Sequence, residues 1–270
     1  MKKIFLIVLT ALLLSSCNKD NDLQNNTYMV VVESYLEPNH QAWVRLSNLV
    51  TFASEEDVEA MPIDNLNLYI IYNETDFLLI PLEDKPGEYV SIEESLPILT
   101  NATYHLRFMY DDMEVSASTV IPEQPVNMHL SATNYYVDPN AGMGSGSVEP
   151  LTVTWSNPDN AYYQIVIEYL EDTYDPIRDN MLEDTFDDFR VVSSDPVNND
   201  AYDFNTRNEL LFFGSYRLTL YKVNNEYVDL YENISQSSLS LSEPATNVQN
   251  GLGVFTGVNS VSVLFNIIEI

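Results

Sequence analysis

Acidic residues crowd one segment of this 270-residue chain, "EDTYDPIRDNMLEDTFDDFR". Carboxylate oxygens are the ligands that Ca²⁺ prefers in proteins, and carboxylates also pair with cationic surfaces of partner proteins. The spacing lacks the alternating ligands, the glycine and the distant glutamate of an EF-hand loop. The segment therefore predicts contact with a partner or an ion such as Ca²⁺, with a solvated charged loop as the alternative. The candidate contact residues are Asp175, Asp179, Glu183, Asp184, Asp187 and Asp188.

The single cysteine, Cys17, follows two lysines, an apolar run and two serines in "MKKIFLIVLTALLLSSC". That order is typical of a secretory signal peptide, here residues 1–16, and the run is shorter than the roughly 20 apolar residues of a membrane-spanning helix. Leu14-Ser15-Ser16-Cys17 resembles the bacterial lipobox, in which the cysteine takes a diacylglyceryl group and becomes the new N-terminus. We expect Cys17 to be lipidated and residues 17–26 to form a flexible tether. The alternatives are a cleaved signal with an incidental cysteine, or a cysteine of the core.

The residues after the cysteine bear on where the lipid anchor places the protein. Lys19-Asp20 and Asp22 resemble the basic-then-acidic signal that sends many Bacteroidota lipoproteins to the outer face of the outer membrane. We therefore expect a lipid-anchored outer-membrane protein exposed at the cell surface. The net charge of −30 argues against binding nucleic acid or anionic membrane surfaces, both of which reward lysine and arginine.

Two glycine-rich stretches fall short of nucleotide-binding loops. "GLGVFTG" has Gly251, Gly253 and Gly257, but a dinucleotide loop needs glycine in place of Thr256, a strand before it and a helix after it. "GMGSGS" lacks the lysine of a phosphate loop. The first stretch predicts a turn between β-strands whose glycines accept positive φ, and no cofactor is expected.

Residue patterns for catalysis are similarly weak. His40, His105 and His129 stand far apart and have no cysteine partners, whereas zinc ligands usually come in closely spaced pairs. No Gly-x-Ser-x-Gly elbow occurs. We expect a protein that is not an enzyme; a hydrolase with a triad assembled from distant residues stays open as an alternative.

Alternating and β-branched runs bounded by Asn, Asp, Pro or Gly recur along the chain, and long runs of helical period are absent. Seven such runs between Tyr28 and Ile121 suit a β-sandwich. Pro122 and Pro125 then interrupt the pattern, because proline removes a donor from the sheet. The predicted division is an N-terminal β-sandwich, 27–122, and a C-terminal one, 123–270.

The second half has features of fibronectin type III domains. Trp155 lies on an alternating strand and is expected in the core, and "SYRLTLYKV" resembles the penultimate long strand, with Tyr216 in the place of a tyrosine corner. Residues 171–206 are an insertion, expected to be a short helix with a lid-like loop or a functional excursion. The predicted fold is all-β, with two tandem immunoglobulin- or fibronectin III-like sandwiches.

Several motifs together resemble an uncharacterised, domain-of-unknown-function family of Bacteroidota outer-membrane lipoproteins. The closing motif combines Glu243-Pro244, Asn247, Gly251, Gly253 and Phe255, and earlier motifs are "VVVESYLEP", "VRLSN", "LTNATYHLRF" and "IPEQPVNM". Members of that family are commonly encoded beside TonB-dependent outer-membrane receptors. The resemblance implies an accessory role in nutrient uptake, in which the protein binds the receptor, its substrate or both.

An adhesin or fimbrial subunit is the alternative of a different class, since such lipoproteins also stack two sandwiches behind a lipobox. An adhesin subunit would offer a donor or removable edge strand for polymerisation. The apolar segment "VSVLFNIIE" instead predicts a strand that completes its own sheet.

Overall fold

The computed structural model gives the fold for most of the chain. Cys17 and the predicted signal peptide and tether, residues 1–26, lie outside the described part, as do Asp179, Glu183 and Asp184. No helix within the described residues is long and apolar enough to cross a membrane. The structure describes residues 29–48, 60–139, 149–173, 175–178, 187–204, 209–236 and 245–270.

Seven strands precede Pro122 in the described residues, and seven are predicted from the sequence. In β1 and β6 buried side chains alternate with less buried ones, as expected when one face of a sheet covers a core. The strands are β1 (Val30–Leu36), β2 (Trp43–Asn48), β3 (Leu68–Tyr72), β4 (Thr75–Pro81), β5 (Glu88–Ser91), β6 (Thr103–Tyr110) and β7 (Met113–Val120).

In the described residues after Pro122, eight further strands, one helix and a 3-10 turn at Asp187–Phe189 follow. The helix, α1 (Asn225–Gln236), was not predicted. The strands are β8 (His129–Leu130), β9 (Asn134–Val137), β10 (Thr152–Thr154), β11 (Tyr162–Tyr169), β12 (Val191–Ser193), β13 (Ala201–Asp203), β14 (Gly214–Val223) and β15 (Leu252–Glu269).

The strands form one 12-stranded sheet and one three-stranded sheet, which confirms the all-β prediction. The large sheet runs β12-β11-β14-β15-β1-β2-β5-β4-β3-β6-β7, with β9 also paired to β15. The small sheet runs β13-β10-β8. Strand β15 is 18 residues long and joins the strands of the two halves into one hydrogen-bonded sheet.

Strand β15 changes partners along its length. Its first part, Leu252–Gly257, pairs in parallel with β1, and its next part, Val258–Ile267, pairs antiparallel with β14. The prediction that "GLGVFTG" is a turn is therefore wrong for residues 252–257, which lie in this strand. Gly253 does have a positive φ of 92°, and a Cβ there would lie 2.0 Å from the Val32 carbonyl oxygen. Glycine is thus required because the backbones of β15 and β1 come too close for a side chain.

Strand β7 returns to the region where β15 begins. Ser116 and Gln249 exchange two backbone hydrogen bonds of 3.3 and 2.7 Å, and the Gly257 N–H donates to the Thr119 hydroxyl at 2.8 Å. The Asn250 side chain donates to the Glu114 carbonyl at 2.8 Å. The sheet of the first half therefore curls so that β7, its last strand, contacts the start of β15. That same part of β15 also pairs with β1.

Two large apolar clusters lie in the molecule, one among the strands of the first half and one among the strands of the second half. The first core contains Leu46, Leu106 and Phe108, and the second contains Trp155, Leu218 and Phe265. Val248 and Phe255 pack in the first core, although the boundary at 122 assigns them to the second domain. The division into 27–122 and 123–270 stays a prediction, and residues near 250 contribute to the core on the far side of it.

The second half retains two features that its sequence predicts. Trp155 is 5% exposed and packs on Tyr163, with ring centroids 5.3 Å apart. The Tyr216 hydroxyl donates to the Phe212 carbonyl at 2.8 Å and accepts from the Phe212 N–H at 2.9 Å. This local loop of hydrogen bonds is the geometry of a tyrosine corner.

The described parts of the 171–206 insertion are attached to the core. Strand β12 pairs with β11 and strand β13 pairs with β10. Ile177 is buried, and its N–H donates to the Leu211 carbonyl at 2.9 Å. The expectation of a helix with a lid-like loop is thus wrong for 191–193 and 201–203, which extend the sheets.

Candidate ligand groove between the two halves

A cavity of about 580 Å³ opens where β1 and β2 face β11, β14 and α1. We call it the junction groove. Pockets of roughly 300 to 1,000 Å³ lined by aromatic and apolar side chains are typical of small-molecule sites. Its lining residues are Tyr35, Glu37, His40, Gln41, Trp43, Gln164, Val166, Tyr221, Val223, Tyr227 and Val258.

Aromatic rings from three elements meet at the groove. Tyr35 of β1 has its ring centroid 5.9 Å from that of Trp43 of β2 and 5.9 Å from that of Tyr227 of α1. The planes are inclined by 53° and 76°, so the rings meet edge to face and at a tilt. Tyr231, one turn along α1, lies 6.4 Å from Tyr227. A ligand here would meet several π faces at different angles.

Strand alternation explains why Tyr35 faces the groove. Its neighbours Ser34 and Leu36 are fully buried in the first half, so Tyr35 points to the opposite face. The Ser34 hydroxyl donates to the Trp43 carbonyl at 2.7 Å, which fixes the start of β2 beside β1. The two aromatic side chains are therefore held on a paired-strand scaffold and not on a free loop.

Helix α1 is held in place by its first turn. The Glu226 carboxylate accepts hydrogen bonds from the Thr119 hydroxyl at 2.7 Å, the Thr256 hydroxyl at 3.2 Å and the Asn224 amide at 3.2 Å. These donors lie on β7, β15 and the residue before the helix. One carboxylate thus connects α1 to both halves and fixes the position of Tyr227.

Most polar side chains of the groove already have protein partners. The Gln164 amide accepts from the Tyr227 hydroxyl at 2.9 Å and donates to the Ser194 carbonyl at 3.2 Å. The Gln41 amide donates to the Ser91 carbonyl. The Glu37 carboxylate accepts from the Ser260 hydroxyl, and its other oxygen lies 3.5 Å from His40 Nδ1. The amide and carboxylate groups of the lining are therefore already engaged by protein groups.

Burial is the main cause that raises the pKa of the groove tyrosines. Burial, with smaller contributions from the Glu33 carboxylate and Tyr227, raises the pKa of Tyr35 well above its ordinary value. Burial and then the Glu37 and Glu168 carboxylates raise the pKa of Tyr221, against the opposing effect of Arg217. The hydroxyls therefore stay protonated, mainly because they are buried and secondarily because carboxylates lie near them.

Alkaline pH is expected to destabilise the fold through buried tyrosines. Burial, followed by Asp175 and Glu171, raises the pKa of Tyr169 to about 12. The unfolded chain loses these protons above about pH 10, whereas the folded chain keeps them, so stability falls between about pH 10 and 12. Each retained proton lowers the free energy of unfolding by about 1.4 kcal/mol per pH unit in that window. Urea midpoints measured against pH, with tyrosinate absorbance, check this; tyrosinate appearing before unfolding would contradict it.

Asp175 and Asp187, the two predicted acidic contact residues whose side chains the structure describes, are not among the residues that line this groove. Asp175 and Asp187 are exposed, and Asp188 is described only by its backbone in the 3-10 turn. The Asp175 carbonyl accepts from the Phe213 N–H at 2.8 Å, so its backbone is attached to the second half. Among the described residues, no three His, Cys, Asp or Glu side chains are grouped to hold a metal ion. Contact of these carboxylates with a partner or Ca²⁺ stays a prediction.

The histidines are dispersed, as the sequence indicates. His40 lines the junction groove, whereas His105 and His129 are exposed on β6 and β8. Sequence reasoning did not identify Tyr35, Trp43 or the groove as a site. The available signal was that both aromatic residues occupy strand positions alternate to the buried ones.

Comparisons with known proteins give a match to one sequence family and no match among curated proteins. A sequence profile described as "Domain of unknown function (DUF4249)" matches residues 19–263. No curated protein is similar enough in sequence to count as a match. The solved structure "Anomalous substructure of Titin-A168169" covers 89% of this chain and 97% of its own, at 10% identity and a TM-score of 0.22.

Proposed function

Since the chain belongs to the family described as "Domain of unknown function (DUF4249)", we propose that it is a non-enzymatic, surface-anchored binding lipoprotein of an outer-membrane uptake system. In this proposal Cys17 carries the lipid anchor in a Bacteroidota outer membrane. The protein captures a small ligand in the junction groove and presents it to a TonB-dependent β-barrel receptor.

The observation that carries the proposal is the junction groove. Its rings come from β1, β2 and α1, elements that the Glu226 hydrogen bonds and strand β15 hold together. A site assembled on strands and an anchored helix is preorganised, so little binding free energy is lost in ordering it. Aromatic and apolar side chains, with lining amides already bonded to protein groups, suit binding more than bond-breaking chemistry.

The acidic residues supply a candidate receptor contact. Asp175 and Asp187 are exposed in the described part of the 171–206 segment, and the net charge of −30 favours a cationic partner surface. Because the groove is lined by other elements, receptor contact and ligand capture would use separate surfaces.

Co-purification tests the receptor partnership. The full lipidated chain is purified with an affinity tag from detergent-solubilised outer membranes, and its partners are identified by mass spectrometry. We expect a large β-barrel receptor in a fixed ratio to the bait. A double variant, Asp175→Asn with Asp187→Asn, is expected to lower that recovery. The control for loss of an exposed carboxylate is Glu269→Gln, since Glu269 is exposed at the end of β15.

Each alternative outcome has a defined meaning. Recovery of a series of oligomers of this chain would replace the proposal with the adhesin or fimbrial-subunit hypothesis. Recovery of neither a receptor nor copies would contradict the accessory role. A receptor recovered equally well with the double variant would support the partnership and place the contact outside Asp175 and Asp187.

A further inference from the structure

The aromatic rings and the carboxylate of the junction groove define a ligand class. We propose that the groove binds a small organic cation, with a protonated amine or quaternary ammonium head held against Tyr35, Trp43 and Tyr227 beside Glu37. This inference rests on the proposed function, because it names the ligand of the same groove.

The charge of the lining favours a cation. Glu37 lines the groove and its side chain is only 17% exposed, whereas no lysine or arginine is among the lining residues that the structure describes. The nearby arginines are paired elsewhere, Arg45 with Glu33 at 4.0 Å and Arg217 with Glu168 at 2.5 Å. An anionic ligand would meet the Glu37 carboxylate, beside which the only other ionisable side chain of the described lining, apart from the tyrosines, is His40, with its Nδ1 3.5 Å away.

The aromatic rings provide the other contribution to binding of the cation. A cation is attracted to the negative face of an aromatic ring, most strongly for tryptophan, and more strongly when the contact is desolvated. Tyr35, Trp43 and Tyr227 are half-buried and inclined to one another by 53° and 76°. Rings inclined at such angles offer faces in different directions to a tetrahedral ammonium group.

A neutral polyhydroxylated ligand fits the same lining less well. Sugars need many hydrogen-bonding side chains, yet the amides of Gln164 and Gln41 are already bonded to protein groups. Val166, Val223 and Val258 make up much of the remaining wall. Methyl or methylene groups of an alkylated ammonium suit that apolar surface.

A fluorescence titration tests the inference, because Trp43 lies in the groove and only one other tryptophan exists. Trp155→Phe removes the second emitter. This change removes no hydrogen bond to a described residue, since the buried Trp155 Nε1 donates to none of them. The full chain with this substitution is titrated with choline and, separately, with 3,3-dimethylbutan-1-ol. The alcohol has the same shape with carbon in place of the charged nitrogen.

We expect saturable quenching by choline, with affinity about tenfold or more higher than for the alcohol. Tyr35→Phe should retain this preference because the ring remains, whereas Tyr35→Leu should weaken choline binding about fivefold or more. Glu37→Gln should weaken choline binding and leave binding of the alcohol unchanged. Glu269→Gln, at the distant end of β15, is the charge-matched control and should change neither. Circular dichroism melts establish that each variant is folded.

Other results overturn the inference in distinguishable ways. Equal affinity for choline and the alcohol would show an apolar ligand site, which contradicts cation selectivity but keeps the groove as the capture site. Saturation by neither compound would overturn the inference outright. The receptor co-purification would then decide the accessory role by itself, since it does not depend on the groove ligand.

Discussion

Replacing Gly253 by alanine is expected to destabilise the protein by about 3 to 5 kcal/mol, a large share of the stability of an ordinary domain. The alanine Cβ would lie 2.0 Å from the Val32 carbonyl oxygen, and its φ of 92° is unfavourable for a residue with a side chain. Relief of the clash requires β15 to move away from β1, which would break their parallel pairing. Urea denaturation followed by circular dichroism measures the loss.

Leu264→Ala is the control for the Gly253 experiment. Leu264 lies on the same strand but is 61% exposed, so its truncation should cost less than about 1 kcal/mol. A Gly253→Ala protein with wild-type stability would contradict the close approach of β15 and β1.

Truncating either of two phenylalanines on β15 is expected to lower the stability of the whole molecule. Phe255 is fully buried in the first core, and Phe265 is 1% exposed in the second, where it stacks on Tyr216 at 5.2 Å. A buried Phe→Ala change costs about 3 to 5 kcal/mol through lost burial and the cavity left behind. Because both side chains belong to one strand, we expect Phe255→Ala and Phe265→Ala each to shift a single shared unfolding transition.

Calorimetry distinguishes this result from independent unfolding of two units. If each substitution moved only one of two separate transitions, the halves would fold autonomously and the shared strand would not couple them. Leu264→Ala again serves as the control, since it alters β15 without removing a core side chain. Coincident transitions by calorimetry and tyrosine fluorescence would support coupling.

Local pattern was sufficient for the strands of the first half. Alternation in "VVVESYL" and "TYHLRFMY" reports directly which side chains face the core, so β1 and β6 follow from a period of two. The tyrosine corner at Tyr216 was similarly predictable, because its bonds to Phe212 are local in sequence.

Long-range partnership could not be predicted from the same patterns. Nothing near "GLGVFTG" indicates that it pairs with β1, which lies more than 200 residues earlier, so its glycines were assigned to a turn. Helix α1 carries Tyr227 and Tyr231 at helical spacing, but a 12-residue element with many polar residues is a weak signal. The groove depends on both the pairing of β15 with β1 and the formation of helix α1, because Tyr227 contacts Tyr35 only after these three elements come together.

The parallel pairing of β1 with β15 also means that this part of the sheet can form only late in synthesis. Val31 pairs with Leu252, so 221 residues must be synthesised after Val31 before its partner exists. At about 5 to 20 residues per second, that interval lasts about 10 to 45 s. During this time one edge of β1 has no strand beside it, and open edges invite pairing with other chains. Biogenesis of this protein is therefore expected to depend on chaperones that bind the incomplete chain until residues 252–257 arrive.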